Sequence, residues 1–204
     1  MTGTPGPPSD SYSALERRII GPVRAAVLWA TGPAVRLLAA LGVPPNALSM
    51  SQIVLGFVIL ALVPTAPAAA FFLFLGTLLI DGMDGALARS TGTASRFGAL
   101  VDQYCDHIRE VTVIAGMAVV GPLHPLPAVL YGLIYTGTNF TLYIANAYGA
   151  PVQWAAKSYL IVYPALGLYL LAGIDLLTPA VVLSETLMLV VIGMGMRNLR
   201  RVMG

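Results

Sequence analysis

Long apolar segments alternate with short breaks along most of the chain. Six of these segments can each supply the roughly 20 residues that a helix needs to cross a bilayer. They lie near 46–64, 67–90, 94–120, 126–148, 153–174 and 178–200. The breaks contain turn-forming residues, as in the run from Pro64 to Pro67 and in Gly121-Pro122. This pattern predicts an all-α integral membrane protein with six transmembrane helices.

The first forty residues follow a different pattern. Residues 1–12 are polar and rich in Gly and Pro, which predicts a disordered leader. Residues 13–43 are apolar but are interrupted by Arg17, Arg18, Arg24 and Arg36. Because a charged side chain is costly inside a bilayer, we expect an interfacial amphipathic helix here, with a spanning helix over 25–43 as the alternative. Residues 44–204 then form the six-helix transmembrane domain.

Composition agrees with a membrane protein. Hydrophobic residues make up 57% of the 204 residues and charged residues only 10%, whereas a soluble domain has about 25% charged residues. A net charge of +2 without a long basic run argues against nucleic acid as a partner. The single cysteine, Cys105, excludes an intrachain disulfide.

Basic residues after position 44 cluster at every second break and indicate the orientation. Those that border the breaks are Arg89, Arg96, Lys157, Arg197, Arg200 and Arg201. The alternate breaks near 64–67, 121–126 and 173–179 contain no Lys or Arg. By the positive-inside rule, both termini and the 89–96 connection face the cytoplasm, and the protein is multi-pass in the cell membrane.

Acidic residues are concentrated where the second and third segments meet the cytoplasm. Five of the nine lie there: Asp81, Asp84, Asp102, Asp106 and Glu110. Each pair of aspartates shares a helix face, since one pair is spaced i,i+3 and the other i,i+4. Four neighbouring carboxylates repel one another unless divalent cations such as Mg²⁺ or Mn²⁺ neutralise them. Two such ions suit phosphoryl transfer because they offset the charge on phosphates.

The stretch from Asp81 to Asp106 resembles the signature of the CDP-alcohol phosphotransferase family, D-x2-D-G-x2-A-R-x8-G-x3-D-x3-D. All eight fixed positions are present at the correct spacing. Upstream, the run from Pro45 to Ser49 resembles the Pro-Asn-x-Leu-Thr of the family, with Ser in place of Thr. Six spans after an interfacial helix also fit this family.

The resemblance implies roles for individual residues. Asp81, Asp84, Asp102 and Asp106 would hold two divalent cations, and Asp106 would also be the general base that accepts the proton of the acceptor hydroxyl. The CDP part of the donor would contact Asn46, Ser49, Gly85, Ala88, Arg89 and Gly98. The acceptor would contact Arg109, Lys157 and Arg197, although Arg109 has charge compensation of the aspartates as its alternative role. Members of the family are usually homodimers.

The implied reaction is transfer of a phosphatidyl group from a CDP-linked donor, such as CDP-diacylglycerol, to a small polar alcohol with release of CMP during phospholipid biosynthesis. We expect inositol phosphate or glycerol 3-phosphate as the acceptor. The alternative enzyme is a choline or ethanolamine phosphotransferase that uses CDP-choline or CDP-ethanolamine with diacylglycerol. The alternative that is not an enzyme is a cation- or proton-coupled transporter, because acidic clusters also form ion pathways.

Overall fold

The computed structural model describes residues 27, 29–155 and 160–204. Seven α-helices are present in these residues: α1 (29–40), α2 (Pro45–Leu62), α3 (Pro67–Ser90), α4 (Arg96–Val120), α5 (Pro125–Ala147), α6 (Val162–Ala172) and α7 (Leu177–Met203). The predicted leader and the first half of the predicted interfacial helix lie outside the described residues. The all-helical fold class is confirmed.

Local sequence explains where several helices begin and end. Pro45, Pro67 and Pro125 each occupy the first helical position, where the missing N–H of proline costs nothing. After α3, Gly92 has a φ of +69°, which favours glycine, and the N–H of Thr93 donates to the Ala88 carbonyl at 2.9 Å. This turn brings the start of α4 back to the end of α3.

Helix α2 packs against both α3 and α4, whereas α3 and α4 touch each other at only a few positions. Helix α5 packs against α4 and α7, and α6 packs against α3 and α7. The main apolar core between these helices includes Ile59, Phe74, Ile114, Met117, Leu166 and Met188. The second and third predicted segments are therefore neighbours mainly through their turn and through α2.

Among the residues that the structure describes, three helices are long and apolar enough to cross a membrane by length and composition, namely α2, α3 and α7. Large apolar side chains such as Phe57, Phe72 and Leu133 are exposed on the helix surfaces, as expected where lipid is the solvent. The protein is thus a multi-pass membrane protein. The predicted total of six crossings remains a prediction, because α4 contains Asp102, Asp106, Arg109 and Glu110 and α6 has only 11 residues.

The predicted span over 153–174 is wrong in its first part. Residues 153–155 are not helical, and α6 begins only at Val162. Pro164 is the third residue of α6, and its ring would clash with the carbonyl four residues upstream if a helix ran through it. A helix can begin just before a proline, so α6 is short and reaches only about 16 Å at 1.5 Å per residue.

Candidate active site

The four aspartates lie in the second half of α3 and the first half of α4. Asp102 is close enough to Asp84 for their carboxyl groups to share a proton, and it also interacts electrostatically with Asp81 and Asp106. The Oδ1 atom of Asp102 is buried and receives no hydrogen bond from the residues that the structure describes. All three other aspartates thus interact with Asp102, and their arrangement as a metal site remains a prediction.

Asp84 is fixed by two hydrogen bonds and is only 2% exposed. The hydroxyl of Ser49, on α2, donates to Asp84 Oδ2 at 2.6 Å, and the N–H of Gly85 donates to Asp84 Oδ1 at 2.5 Å. Ser49 thus orients a carboxylate that the sequence predicts as a metal ligand. The contact predicted between Ser49 and CDP remains a prediction.

Asp106 is paired with Arg109, which lies one turn further along α4. Arg109 Nη2 contacts Asp106 Oδ1, while Nη1 donates to Gln52 Oε1 and, at 3.4 Å, to the carbonyl of Thr77. Arg109 is 1% exposed. These are the contacts of a residue that compensates the charge of the aspartates, whereas a contact with the acceptor remains a prediction.

The residues predicted to contact CDP meet in two places near the ends of the helices. Asn46 Oδ1 lies 3.5 Å from the position that a Cβ atom on Gly98 would occupy. Arg89 folds back over Gly85, and its Nη1 lies 3.3 Å from the corresponding Cβ position there. Ala88, next to Arg89, is half-buried. Both glycines leave room at positions where a side chain would crowd a polar group.

The donor set has the chemistry of a site for hard divalent cations. Carboxylate oxygens are the ligands that Mg²⁺ and Mn²⁺ prefer, and the buried Oδ1 of Asp102 has no hydrogen-bond donor in the described part of the chain. In residues 27, 29–155 and 160–204, no three acidic, His or Cys side chains converge on one point. Asp84 accepts the hydrogen bond of Ser49, and Asp106 contacts Arg109.

The three residues predicted to contact the acceptor do not form one cluster in the described part of the chain. Lys157 lies outside the described residues. Arg197 is exposed on α7, a helix that packs against α5 and α6 rather than against the helices that carry the aspartates. Arg109 is buried among α2, α3 and α4. Acceptor binding by these residues remains a prediction.

Sequence reasoning missed the polar partners that surround Arg109 in the helix bundle. Gln52 on α2 is fully buried, and Glu110 accepts hydrogen bonds from Tyr131 on α5, at 2.7 Å, and from Tyr163 on α6. The spacing of Glu110 from Asp106 is i,i+4, and a glutamate inside a span needs partners. That signal identifies Glu110, but no local signal identifies which tyrosines bind it.

Residues 43–196 match the family model described as CDP-alcohol phosphatidyltransferase. An archaetidylinositol phosphate synthase of Pyrococcus horikoshii is 35% identical over 92 residues, which cover 42% of this chain and 46% of that protein. A phosphatidylinositol phosphate synthase of Mycobacterium marinum is 36% identical over 101 residues, covering 46% and 41% respectively. The chain thus spans less than half the length of these curated relatives.

Solved structures show a similar fold. The phosphatidylinositol phosphate synthase of Mycobacterium tuberculosis with CDP-DAG bound superposes with a TM-score of 0.70 at 20% identity, covering 82% of this chain and 92% of that chain. Its complex with manganese and citrate gives a TM-score of 0.67 at 20% identity, covering 82% and 88%. At this level of identity the likeness concerns the fold alone.

Proposed function

This chain belongs to the CDP-alcohol phosphatidyltransferase family, and we propose that it transfers the phosphatidyl group of CDP-diacylglycerol to inositol phosphate and releases CMP. The resemblance of the stretch from Asp81 to Asp106 to this family is confirmed. The observation that carries the proposal is that Asp102 on α4 interacts electrostatically with Asp81 and Asp84 on α3 and with Asp106 on its own helix. Two relatives, named as an archaetidylinositol phosphate synthase and a phosphatidylinositol phosphate synthase, support this choice of acceptor.

Donor binding is assigned to the ends of the helices around the aspartates. The four carboxylates would hold two divalent cations, which supply compensation for charge on the donor phosphates when bound. Arg89, folded over Gly85, offers a planar guanidinium that binds phosphate through two N–H groups. Asn46 and Gly98 lie together at the starts of α2 and α4, where the absent side chain of Gly98 leaves space for the flat cytidine.

Asp106 is the proposed general base. Its carboxylate accepts the proton from the acceptor hydroxyl, and that oxygen forms a bond to the phosphorus that carries the diacylglycerol group. The bond from this phosphorus to the CMP oxygen breaks, and CMP leaves with the electron pair. Asp106 can serve because its i,i+4 spacing places it on the face of α4 that also carries Asp102, close to the cations that the aspartates would hold.

Three further features belong to the same proposal. Lys157 and Arg197 are the candidates for binding the acceptor phosphate, because both are placed by charge pattern at the predicted cytoplasmic face. The active site and both termini face the cytoplasm for the same reason. A homodimer embedded in membrane lipid is the expected assembly, from the resemblance to the family.

The proposal is tested by CMP release from CDP-diacylglycerol with Mn²⁺ or Mg²⁺ and one acceptor at a time. We expect release with inositol phosphate and little with glycerol 3-phosphate, inositol, serine, choline or ethanolamine. Asp106→Asn should abolish release, whereas the matched control Asp175→Asn, an exposed aspartate in the loop before α7, should leave it unchanged. Release from CDP-choline with diacylglycerol, or ion flux without any nucleotide, would contradict the proposal.

A further inference from the structure

Arg109 is a fully buried cation that joins three helices beside the proposed base. Its side chain belongs to α4, its Nη1 donates to Gln52 on α2 and to the Thr77 carbonyl on α3, and its Nη2 contacts Asp106. An arginine is costly in the membrane interior and is retained there when it pairs with other groups. The cost and the number of partners together indicate a specific role.

The surrounding helices are shaped for this arginine. On α2, a Cβ atom at Gly56 would lie 3.6 Å from Arg109 Cα and 3.7 Å from its Cγ, so α2 packs directly on the arginine. Gln52 lies one turn before Gly56 and points its amide oxygen at the guanidinium. A planar guanidinium held at one end by Gln52 has little freedom to rotate at the other end.

The same geometry separates two roles for this residue. A ligand of the acceptor phosphate must reach the open cytoplasmic side, whereas Arg109 is 1% exposed and both of its Nη atoms are engaged. The only group of the proposed reaction that it touches, in the described part of the chain, is the carboxylate of Asp106. Its contacts are those of a residue that acts through Asp106.

We propose that Arg109 is a positioning residue: anchored by Gln52 and the Thr77 carbonyl, it fixes the carboxylate of Asp106 in the orientation that accepts the proton of the acceptor. This inference rests on the proposed function, because it assigns a role toward the proposed base. Misplacement of a catalytic group by about 1 Å is sufficient for a loss of about 10²-fold in rate. The inference therefore concerns the rate of the chemical step and not the binding of either substrate.

The test measures kcat and the KM of inositol phosphate for CMP release at saturating Mn²⁺. Arg109→Gln should lower kcat about 10²-fold with little change in either substrate's KM. Arg109→Lys should recover part of the loss, because a lysine ammonium keeps the charge but not the two-sided fork. Arg96→Gln, which removes an exposed arginine of the same helix, is the control and should leave kcat unchanged.

Gln52→Leu tests the anchor without touching Asp106 or any charge. It should lower kcat about 10-fold, and the double variant with Arg109→Gln should be no slower than Arg109→Gln alone, because Gln52 acts only through Arg109. A merely structural role for both residues would lower the amount of folded protein and leave the kcat of the folded protein unchanged. If Arg109→Gln does not fold, as judged by CDP binding with metal, the kcat of the Gln52→Leu variant still tests the positioning role.

The outcomes separate this inference from the function on which it rests. A wild-type protein that releases no CMP with any acceptor contradicts the proposed function, and the positioning role fails with it. An active wild type combined with an Arg109→Gln variant that keeps its kcat overturns the inference alone. A raised KM for inositol phosphate at unchanged kcat would instead make Arg109 a ligand of the acceptor.

Discussion

The hydrogen bond from Ser49 to Asp84 gives a quantitative prediction for cation binding. Ser49→Ala removes a hydroxyl that donates to Asp84 Oδ2 at 2.6 Å in a buried site. The Gly85 N–H, which donates to Asp84 Oδ1, is left in place. The carboxylate then rotates more freely and must be ordered again when a cation binds. The variant should therefore bind the cation more weakly while the reacting groups stay in place.

The size of the effect follows from the bond that is lost. A hydrogen bond to a charged group contributes about 1.5–3 kcal/mol, and each 1.4 kcal/mol is about tenfold in a dissociation constant. The full contribution of this hydrogen bond is the upper limit for the loss of cation-binding free energy, since Ser49 can donate to Asp84 with or without a bound cation. Outer partners of metal ligands typically contribute about 10- to 100-fold in affinity. We expect a rise in the Mn²⁺ concentration for half-maximal activity within this range.

The assay is CMP release as a function of Mn²⁺ concentration at saturating substrates. Ser49→Ala should shift the curve to higher Mn²⁺ but reach a maximal rate within about threefold of wild type, because the reacting groups remain in place. Ser51→Ala is the matched control, since the Ser51 hydroxyl donates to the Leu48 carbonyl on the same helix. An unshifted curve, or a maximal rate that high Mn²⁺ does not restore, would refute this reasoning.

Two further predictions concern glycines at close contacts. Gly98→Ala places a Cβ 3.2 Å from Ser95 Oγ and 3.5 Å from Asn46 Oδ1, so the KM for CDP-diacylglycerol should rise about tenfold, as when a small pocket loses volume. Gly193→Ala, whose Cβ would meet open space, is the control. Equal KM values for Gly98→Ala and the wild type would contradict the assignment of Gly98 to CDP binding. Gly195→Ala places a Cβ 2.4 Å from Thr141 Cγ2 between α5 and α7, so the free energy of unfolding should fall by about 1–3 kcal/mol. Adding Thr141→Ser, which removes that methyl group, should restore the thermal stability; a double variant no more stable than the single one would refute the steric explanation.

The sequence predicted the local features of this fold because they depend on near neighbours. Prolines at the first helical position identify the starts of α2, α3 and α5. The aspartate pairs on α3 and α4 share their faces through i,i+3 and i,i+4 spacing. The short turn between these helices leads back toward α3, and Asp102 interacts with Asp81 and Asp84 across the two helices.

The features that the sequence did not predict depend on packing between distant segments. Ser49 is 35 residues from Asp84, and Gln52 is 57 residues from Arg109, so no spacing rule pairs them. Both pairs exist because α2 packs against α3 and α4 together. The predicted start of the fifth segment was wrong for a local reason, since Pro164 permits a helix to begin near it but not to pass through it.

The most direct test of the account follows labelled inositol phosphate into the membrane lipid fraction. Purified protein in lipid, supplied with CDP-diacylglycerol and Mn²⁺, should convert the label into an extractable phospholipid with one CMP released per labelled lipid. Removal of the cation with a chelator, or Asp106→Asn, should stop both products together. Release of CMP without labelled lipid, or labelled lipid from the Asp106→Asn variant at the wild-type rate, would contradict the proposed phosphatidyl transfer through this site.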